Sequence, residues 1–238
     1  MPPPEPKPFS AEFRMPVDAL EWKGQLELSN FVNTYYQYRD LSDCCRSGRV
    51  LIVGPGQGLE VAIFKWRGYE VVTADVEPTF DPDVICSVHD LSAFASGSFD
   101  VVIASHVLEH LPPDLLDTAI AETARAGRFA LVYLPIRGRK FRMRIQPGFA
   151  ALDWNFGFDV FNYFERPLRT VRKFMAGQHY WEIGLRGYRV REVQRRLQQH
   201  FTVRRSYRNP DWPISWNFVL ESKHHAARTE SGAGQDKP

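Results

Sequence analysis

The spacing of apolar positions changes twice along the chain. From Asp18 to Arg39 the residues Leu20, Leu26, Leu28, Phe31, Val32, Tyr35 and Tyr38 recur at mixed three- and four-residue spacings, which predicts an amphipathic helix. Asp18 stands where an N-cap would, with Glu21 three residues on as in a capping box. Short apolar runs then alternate with helical patterns. "RVLIVG" predicts a fully buried strand, and "GLEVAIFKWRG" a helix closed by Gly68. "YEVVTAD" predicts a second strand that ends in an acid, "DVICSV" a short third and "FDVVIAS" a fourth. "PPDLLDTAIAETARA" predicts a helix with proline in its first turn and Gly127 just past its end, followed by "RFALVYLPI" as a fifth strand.

This rhythm predicts a doubly wound α/β fold with a mostly parallel sheet, right-handed crossovers and helices on both faces. Residues 137–178 lose the rhythm and are rich in aromatics and arginine, as an insertion or lid would be. A helix over "YRVREVQRRLQQHF" follows, then strands near "FTVRRSYR" and "ISWNFVLES". A short turn joins these last two, so the closing pair is expected to be antiparallel and to bring the sheet to seven strands. The expected organisation is a disordered arm over 1–17, one domain over 18–222 and a disordered polar tail over 223–238. Within the domain, 18–47 is the N-terminal helical segment and 137–186 the lid or insertion.

Composition narrows the class. Hydrophobic residues at 44% and charged residues at 24% are ordinary for a globular domain. No apolar run approaches the roughly 18 residues of a membrane span, and "MPPPEPKP" has no secretory h-region. The three cysteines, Cys44, Cys45 and Cys86, form neither a C-x-x-C pair nor a disulfide framework. A cytoplasmic setting is the expectation, with no metal site, since no cluster of carboxylates suggests one. The net charge of +2 conceals an asymmetry: residues 1–136 carry 10 Lys/Arg and 19 Asp/Glu, residues 137–208 carry 17 and 5. A block this basic fits an anionic partner, or a solvated face that balances the acidic half.

The chemistry starts at "VGPGQG". A P-loop needs Gly-Lys-Ser/Thr at its end, but Leu59 and Glu60 follow Gly58. A dinucleotide fingerprint needs a third small residue where Leu59 stands, and leucine would hinder close helix–strand packing. The spacing G-x-G-x-G at Gly54, Gly56 and Gly58 leaves a tight turn open to a ligand that has no pyrophosphate. Asp75 ends the second strand 17 residues later, where an acid can meet ribose hydroxyls. A bidentate charge-assisted bond there is worth about 1.5–3 kcal/mol.

The ordered set "VLIVGPGQG", "VVTADVEP", "VHDL" and "FDVVIASHVLEHL" resembles the class I S-adenosylmethionine-dependent methyltransferases, in particular the broad small-molecule methyltransferase-domain group, over roughly residues 48–136. The resemblance implies S-adenosylmethionine as cofactor. It implies that Gly54, Pro55, Gly56 and Gly58 lie along the methionine moiety, that Asp75 holds the ribose and that Val76 packs on the adenine. It puts Asp90 and Leu91 at the adenine, and Ser105 and His106 at the cofactor and reaction centre. Many members have an acid two residues before the first glycine, near the cofactor's amino group; this chain has Ile52.

Methyl transfer from a sulfonium is an in-line displacement that depends heavily on alignment, and a base helps when the acceptor is a hydroxyl. His106 is the first candidate base by its position, with lining of the cofactor pocket as the alternative. His110 and Glu109, in "LEHL", are expected to tie the fourth strand to the next helix. The segment "GQHYWEIGLRGY" supplies His179 and Glu182 as further candidates, or else Tyr180, Trp181 and Ile183 as core anchors. The run "RGRKFRMR" after strand five suits an anionic, carrier-bound acceptor, RNA or an acidic surface, or is an exposed loop. The expected function is methyl transfer to a small or carrier-bound acceptor, at oxygen rather than carbon. RNA methylation and a non-catalytic S-adenosylmethionine-binding relative are the alternatives.

Overall fold

The computed structural model describes residue 24 and residues 26–137, 139–145, 152–158 and 179–225; in 139–145 and 152–158 it describes the backbone alone. Its elements in chain order are α1 (Leu28–Cys44), β1 (Arg49–Val53), α2 (Leu59–Trp66), β2 (Glu70–Asp75), β3 (Val84–Ile85), β4 (Phe99–Ser105), α3 (Leu116–Ala126) and β5 (Gly127–Pro135). β6 (Arg139–Ile145), β7 (Leu152–Phe158), α4 (Val190–His200), β8 (Phe201–Arg208) and β9 (Ser215–Ser222) follow among the described residues.

Seven strands form one sheet in the order β3-β2-β1-β4-β5-β9-β8, while β6 and β7 pair as a separate antiparallel hairpin. The first five strands are parallel; β9 runs antiparallel to both β5 and β8, as the short closing turn requires. From β1 the chain builds outward through β2 and β3, then returns to place β4 on the other side. That reversal opens a crevice at the carboxyl ends of β1 and β4, where doubly wound sheets bind ligands.

Period-two alternation divides the central strands between two cores. Leu51, Val53, Val102 and Ala104 face α3 and α4, packing with Leu116, Ile120, Val193 and Leu197. Val50, Ile52, Val101 and Ile103 face α1 and α2, packing with Tyr36, Leu41 and Phe64. Because both faces are covered, β1 reads as an unbroken apolar run with every residue after Arg49 buried.

Several boundaries differ from expectation. The described part of the first helix starts at Leu28, where Glu27 N–H donates to Asn30 Oδ1 at 2.7 Å. It runs on to Cys44; Asp18 and Glu21, like the predicted arm, lie outside the described residues. Pro112 and Pro113 precede α3 instead of filling its first turn. Gly127 is extended, not a left-handed cap, and opens β5 directly. A Cβ there would lie 2.6 Å from Val102 Cγ2, so glycine lets β5 start hard against β4. The predicted tail also begins late: residues 223–225 form a helical turn, held by Lys223 Nζ donating to Gln198 O at 2.6 Å and by His225 against Arg125 O.

Candidate active site

The glycine turn forms because β1 must reverse sharply into α2. Gly54, Gly56 and Gly58 all take left-handed φ angles, +70°, +52° and +74°. Gly54 N–H donates to Ala74 O at 2.8 Å, pinning the turn to β2, and a Cβ on Gly54 would fall 2.6 Å from Val107 Cγ2. Gly58 caps α2, its N–H bonded to Pro55 O at 2.8 Å.

An open cleft lies beside this turn. Val53 and Gly54 form one wall, Asp75 and Val76 a second, Cys86 to Val88 a third, and Val107, His110 and Leu111 the fourth. All four walls stand at the carboxyl ends of β1, β2, β3 and β4, so the switch point of the sheet and the cleft coincide. Asp75 is only 9% exposed, and burial pushes its carboxyl up to about 6, with the Glu77 N–H bonded to Oδ1 at 2.9 Å pulling the other way.

Asp90 and Leu91 sit elsewhere. Asp90 is exposed and accepts from Ser92 N–H, while Leu91 is fully buried in the core. Leu91 is held there by its N–H on Glu122 Oε2 at 3.0 Å and its carbonyl on Arg125 at 2.8 Å. The loop lines the cleft with Cys86, Ser87 and Val88 instead, three residues that spacing alone did not single out.

Ser105, at the end of β4, accepts from Asn33 Nδ2 of α1 at 3.1 Å. Asn30 Nδ2 reaches Gln57 Oε1 of the glycine turn at 3.4 Å, so α1 lays two amides over this end of the sheet. Asn33 Oδ1 is buried and has no hydrogen-bond partner. Ile52 is 1% exposed in the core beneath α1 and α2, where an acid would be buried among Val50, Phe64 and Ile103.

His106 takes φ +57°, one of two non-glycine residues in that region among those described. Its N–H donates to Tyr133 O at 2.8 Å, which fixes the strained turn. Ser215 Oγ donates to Asn217 Oδ1 at 2.7 Å and therefore accepts from His106 Nε2 at 3.2 Å. The other ring nitrogen faces Glu109 Oε1 at 3.5 Å, and Trp212 packs on the ring at 5.0 Å. Both nitrogens thus point into protein, and His110 is the imidazole that lines the cleft.

In the segment that resumes at His179, Tyr180 is only partly buried against the core. Trp181 and Ile183 are buried core anchors, Trp181 stacked on Tyr188 at 4.9 Å. Ile183 bridges to Ile136 beyond β5. His179 and Glu182 pair at 2.8 Å, and Tyr180 N–H donates to Glu109 O at 2.8 Å, which brings this segment against the "LEHL" turn. Among the described residues, Glu109, His110 and His179 lie with one ligand-type atom each within 4.8 Å of the others.

Residues 51–128, about a third of the chain, match the family described as "Methyltransferase domain". Over this segment the chain matches a methyltransferase domain. Solved structures share this fold over more than four-fifths of the chain. The N-methyltransferase NodS from Bradyrhizobium japonicum WM9, in complex with S-adenosyl-L-homocysteine, superposes with a TM-score of 0.55 at 10% identity, over 86% of this chain and 96% of NodS. The PH0226 protein from Pyrococcus horikoshii OT3 gives 0.53 at 16% identity, over 84% and 93%. The 1,6-didemethyltoxoflavin-N1-methyltransferase from Burkholderia thailandensis gives 0.50 at 19% identity, over 82% and 86%. No curated protein matches the chain. S-adenosylmethionine would supply the methyl group, and the residues of the cleft fit it: Asp75 is a buried acid that could meet hydroxyls, and the glycine turn offers bare backbone to an amino-acid tail. No helix of the described residues is long and apolar enough to cross a membrane.

Proposed function

We propose that this methyltransferase acts on a small or carrier-bound acceptor, with oxygen as the favoured acceptor atom. One observation carries the reading: Asp75 and Gly54 share a cleft with His110, so the ribose acid and the tail-binding turn stand opposite a single imidazole. Asp75 would hold the ribose, Gly54 to Gly58 the methionine moiety, and Val76 and Val88 the adenine. His110 marks the acceptor wall, and imidazole is the side chain suited to engage a hydroxyl proton near neutral pH. With Ile52 apolar, the cofactor's amino group would turn to Asn33 Oδ1, whose lone pairs are buried and unused. Two similar structures are N-methyltransferases by name, so nitrogen is the rival acceptor atom.

Calorimetric titration with S-adenosylhomocysteine tests the first half of the proposal. Saturable one-to-one binding is expected, and folded protein that takes up no ligand would overturn it. Turnover of labelled S-adenosylmethionine against hydroxyl, amine and RNA panels tests the second half. RNA use would show itself by affinity that falls steeply with salt.

A further inference from the structure

Glu109 is fully buried; neither carboxylate oxygen meets a donor in good hydrogen-bond geometry, and His106 Nδ1 faces Oε1 at 3.5 Å. A buried anion in that state costs several kcal/mol unless a cation faces it. Three imidazoles surround it. Burial pushes its carboxyl up, but His106, His110 and His179 more than offset this and hold it below the ordinary carboxylate value. The His110 and His179 rings meet edge to face at 4.8 Å, and one ring nitrogen of each lies within 4.8 Å of the other and of a Glu109 oxygen. His179 Nδ1 is taken by Glu182 Oε1 at 2.8 Å, which directs its other nitrogen away from that carboxylate. A carboxylate behind an imidazole is the usual support for a histidine that ligates a metal through its other nitrogen.

We propose that Glu109, His110 and His179 bind one divalent transition-metal ion of the zinc class. Two imidazoles and a carboxylate are borderline-soft donors that suit zinc over magnesium or calcium. Glu109 and Glu182 together carry two negative charges, which balance a divalent ion in a buried place. The three ligand atoms, within 4.8 Å of one another, must close to about 3.4 Å for a tetrahedral ion with bonds near 2.1 Å. Small side-chain rotations accomplish that.

Three protein ligands leave a fourth position open, and His110 also lines the cleft. That the open position faces a methyl acceptor rests on the proposed function; the metal site itself does not. There the ion would ligate an acceptor oxygen and favour its deprotonated form, so His110 would act on the acceptor through the metal. The resulting alkoxide or phenolate would attack the methyl carbon, the C–S bond would break with its electron pair on sulfur, and the released proton would pass to solvent.

The test uses the untagged full chain dialysed against Zn²⁺, with bound metal counted by plasma mass spectrometry and S-adenosylhomocysteine affinity measured on the same samples. One zinc per chain is expected, with H110A and H179A weakening it at least a hundredfold and E182Q, which only supports His179, about ten- to a hundredfold. Circular dichroism checks each fold, and E182Q keeps the test open if a ligand variant unfolds. Zinc held by H179A and E182Q as tightly as by the wild type would overturn the proposal and move the ion elsewhere, for example to the surface pair His200 and His224, 3.4 Å apart. Absence of zinc binding alongside S-adenosylhomocysteine binding overturns the metal site alone. Zinc binding in protein that takes no S-adenosylhomocysteine overturns the proposed function and leaves the metal site standing.

Discussion

The Tyr133 hydroxyl donates to Asp40 Oδ2 at 2.7 Å, although 93 residues separate them in the chain. Tyr133 is near the carboxyl end of β5 and Asp40 near the end of α1, and both are fully buried. Tyr207 donates to the same oxygen at 2.6 Å, while Arg39 and Arg205 pair with Oδ1. Four donors thus converge on one carboxylate and lock the helix that carries Asn30 and Asn33 onto the sheet. Burial first, then the Asp40 charge, push the Tyr133 hydroxyl well above its usual pKa, so it remains a donor throughout the working pH range.

Asp40→Asn is expected to cost about 2–3 kcal/mol, toward the low end for a buried pair because both arginines are partly exposed. Tyr133→Phe should cost about 1–2 kcal/mol. Urea denaturation measures both, and a midpoint unchanged in Asp40→Asn would show that the network contributes nothing.

Gly54 and Gly58 share a left-handed backbone but not their surroundings. Alanine at either position costs about 1–2 kcal/mol of backbone strain. At Gly54 the new methyl also meets Val107 Cγ2 at 2.6 Å, whereas nothing lies within 4 Å at Gly58. Gly54→Ala should therefore lower the melting temperature more than Gly58→Ala, and weaken S-adenosylhomocysteine binding more as it disturbs the Val107 wall. Equal effects would mean that the contact is relaxed by rotation of Val107.

If Asp75 holds the cofactor's ribose, binding is expected to be sensitive to pH. Its folded value of about 6 lies above the unfolded 3.8, so the folded chain holds more protons in between. Its contribution to the stability of the ligand-free protein is present below about 4 and is lost as pH rises through about 6. The ionised form then accepts from ribose hydroxyls, so affinity should rise as pH passes through about 6. Asp75→Asn should flatten that rise and weaken binding about ten- to a hundredfold at pH 7.5. Calorimetry across pH 5–8 reads both, and a variant with unchanged affinity would remove Asp75 from the site.

If Asn33 replaces the missing acid, its removal should act on one end of the cofactor. Asn33→Leu is expected to weaken S-adenosylhomocysteine about tenfold and to leave adenosine, which lacks the amino-acid tail, unaffected. Equal losses for both ligands would instead mean that α1 had shifted as a whole.

Much of this was legible before any coordinates. Period-two apolar runs, the acid at the end of β2 and the glycine spacing depend on residues close in sequence, and local sterics and strand burial decide them. The positions of Asp90 and Leu91 were not legible, because the Glu122 and Arg125 contacts that turn Leu91 inward come from α3. Asn33 carried no signal at all: an asparagine on a helix looks solvated until the helix is docked. His106 looked like the reactive imidazole from its place after β4, yet Ser215 and Glu109 engage both its nitrogens, and Ser215 lies 109 residues away.

The sequence by itself determined the class of fold and the switch-point crevice, because strand periodicity and a turn that only glycine accepts are properties of neighbouring residues; the kind of cofactor followed from the resemblance of its motifs to a methyltransferase family. Tertiary structure alone decided which imidazole faces the cleft and that Glu109, His110 and His179 meet. Those outcomes depend on the packing of Trp181 and Ile183 against β5, which brings His179 back across some seventy residues of chain to a buried carboxylate.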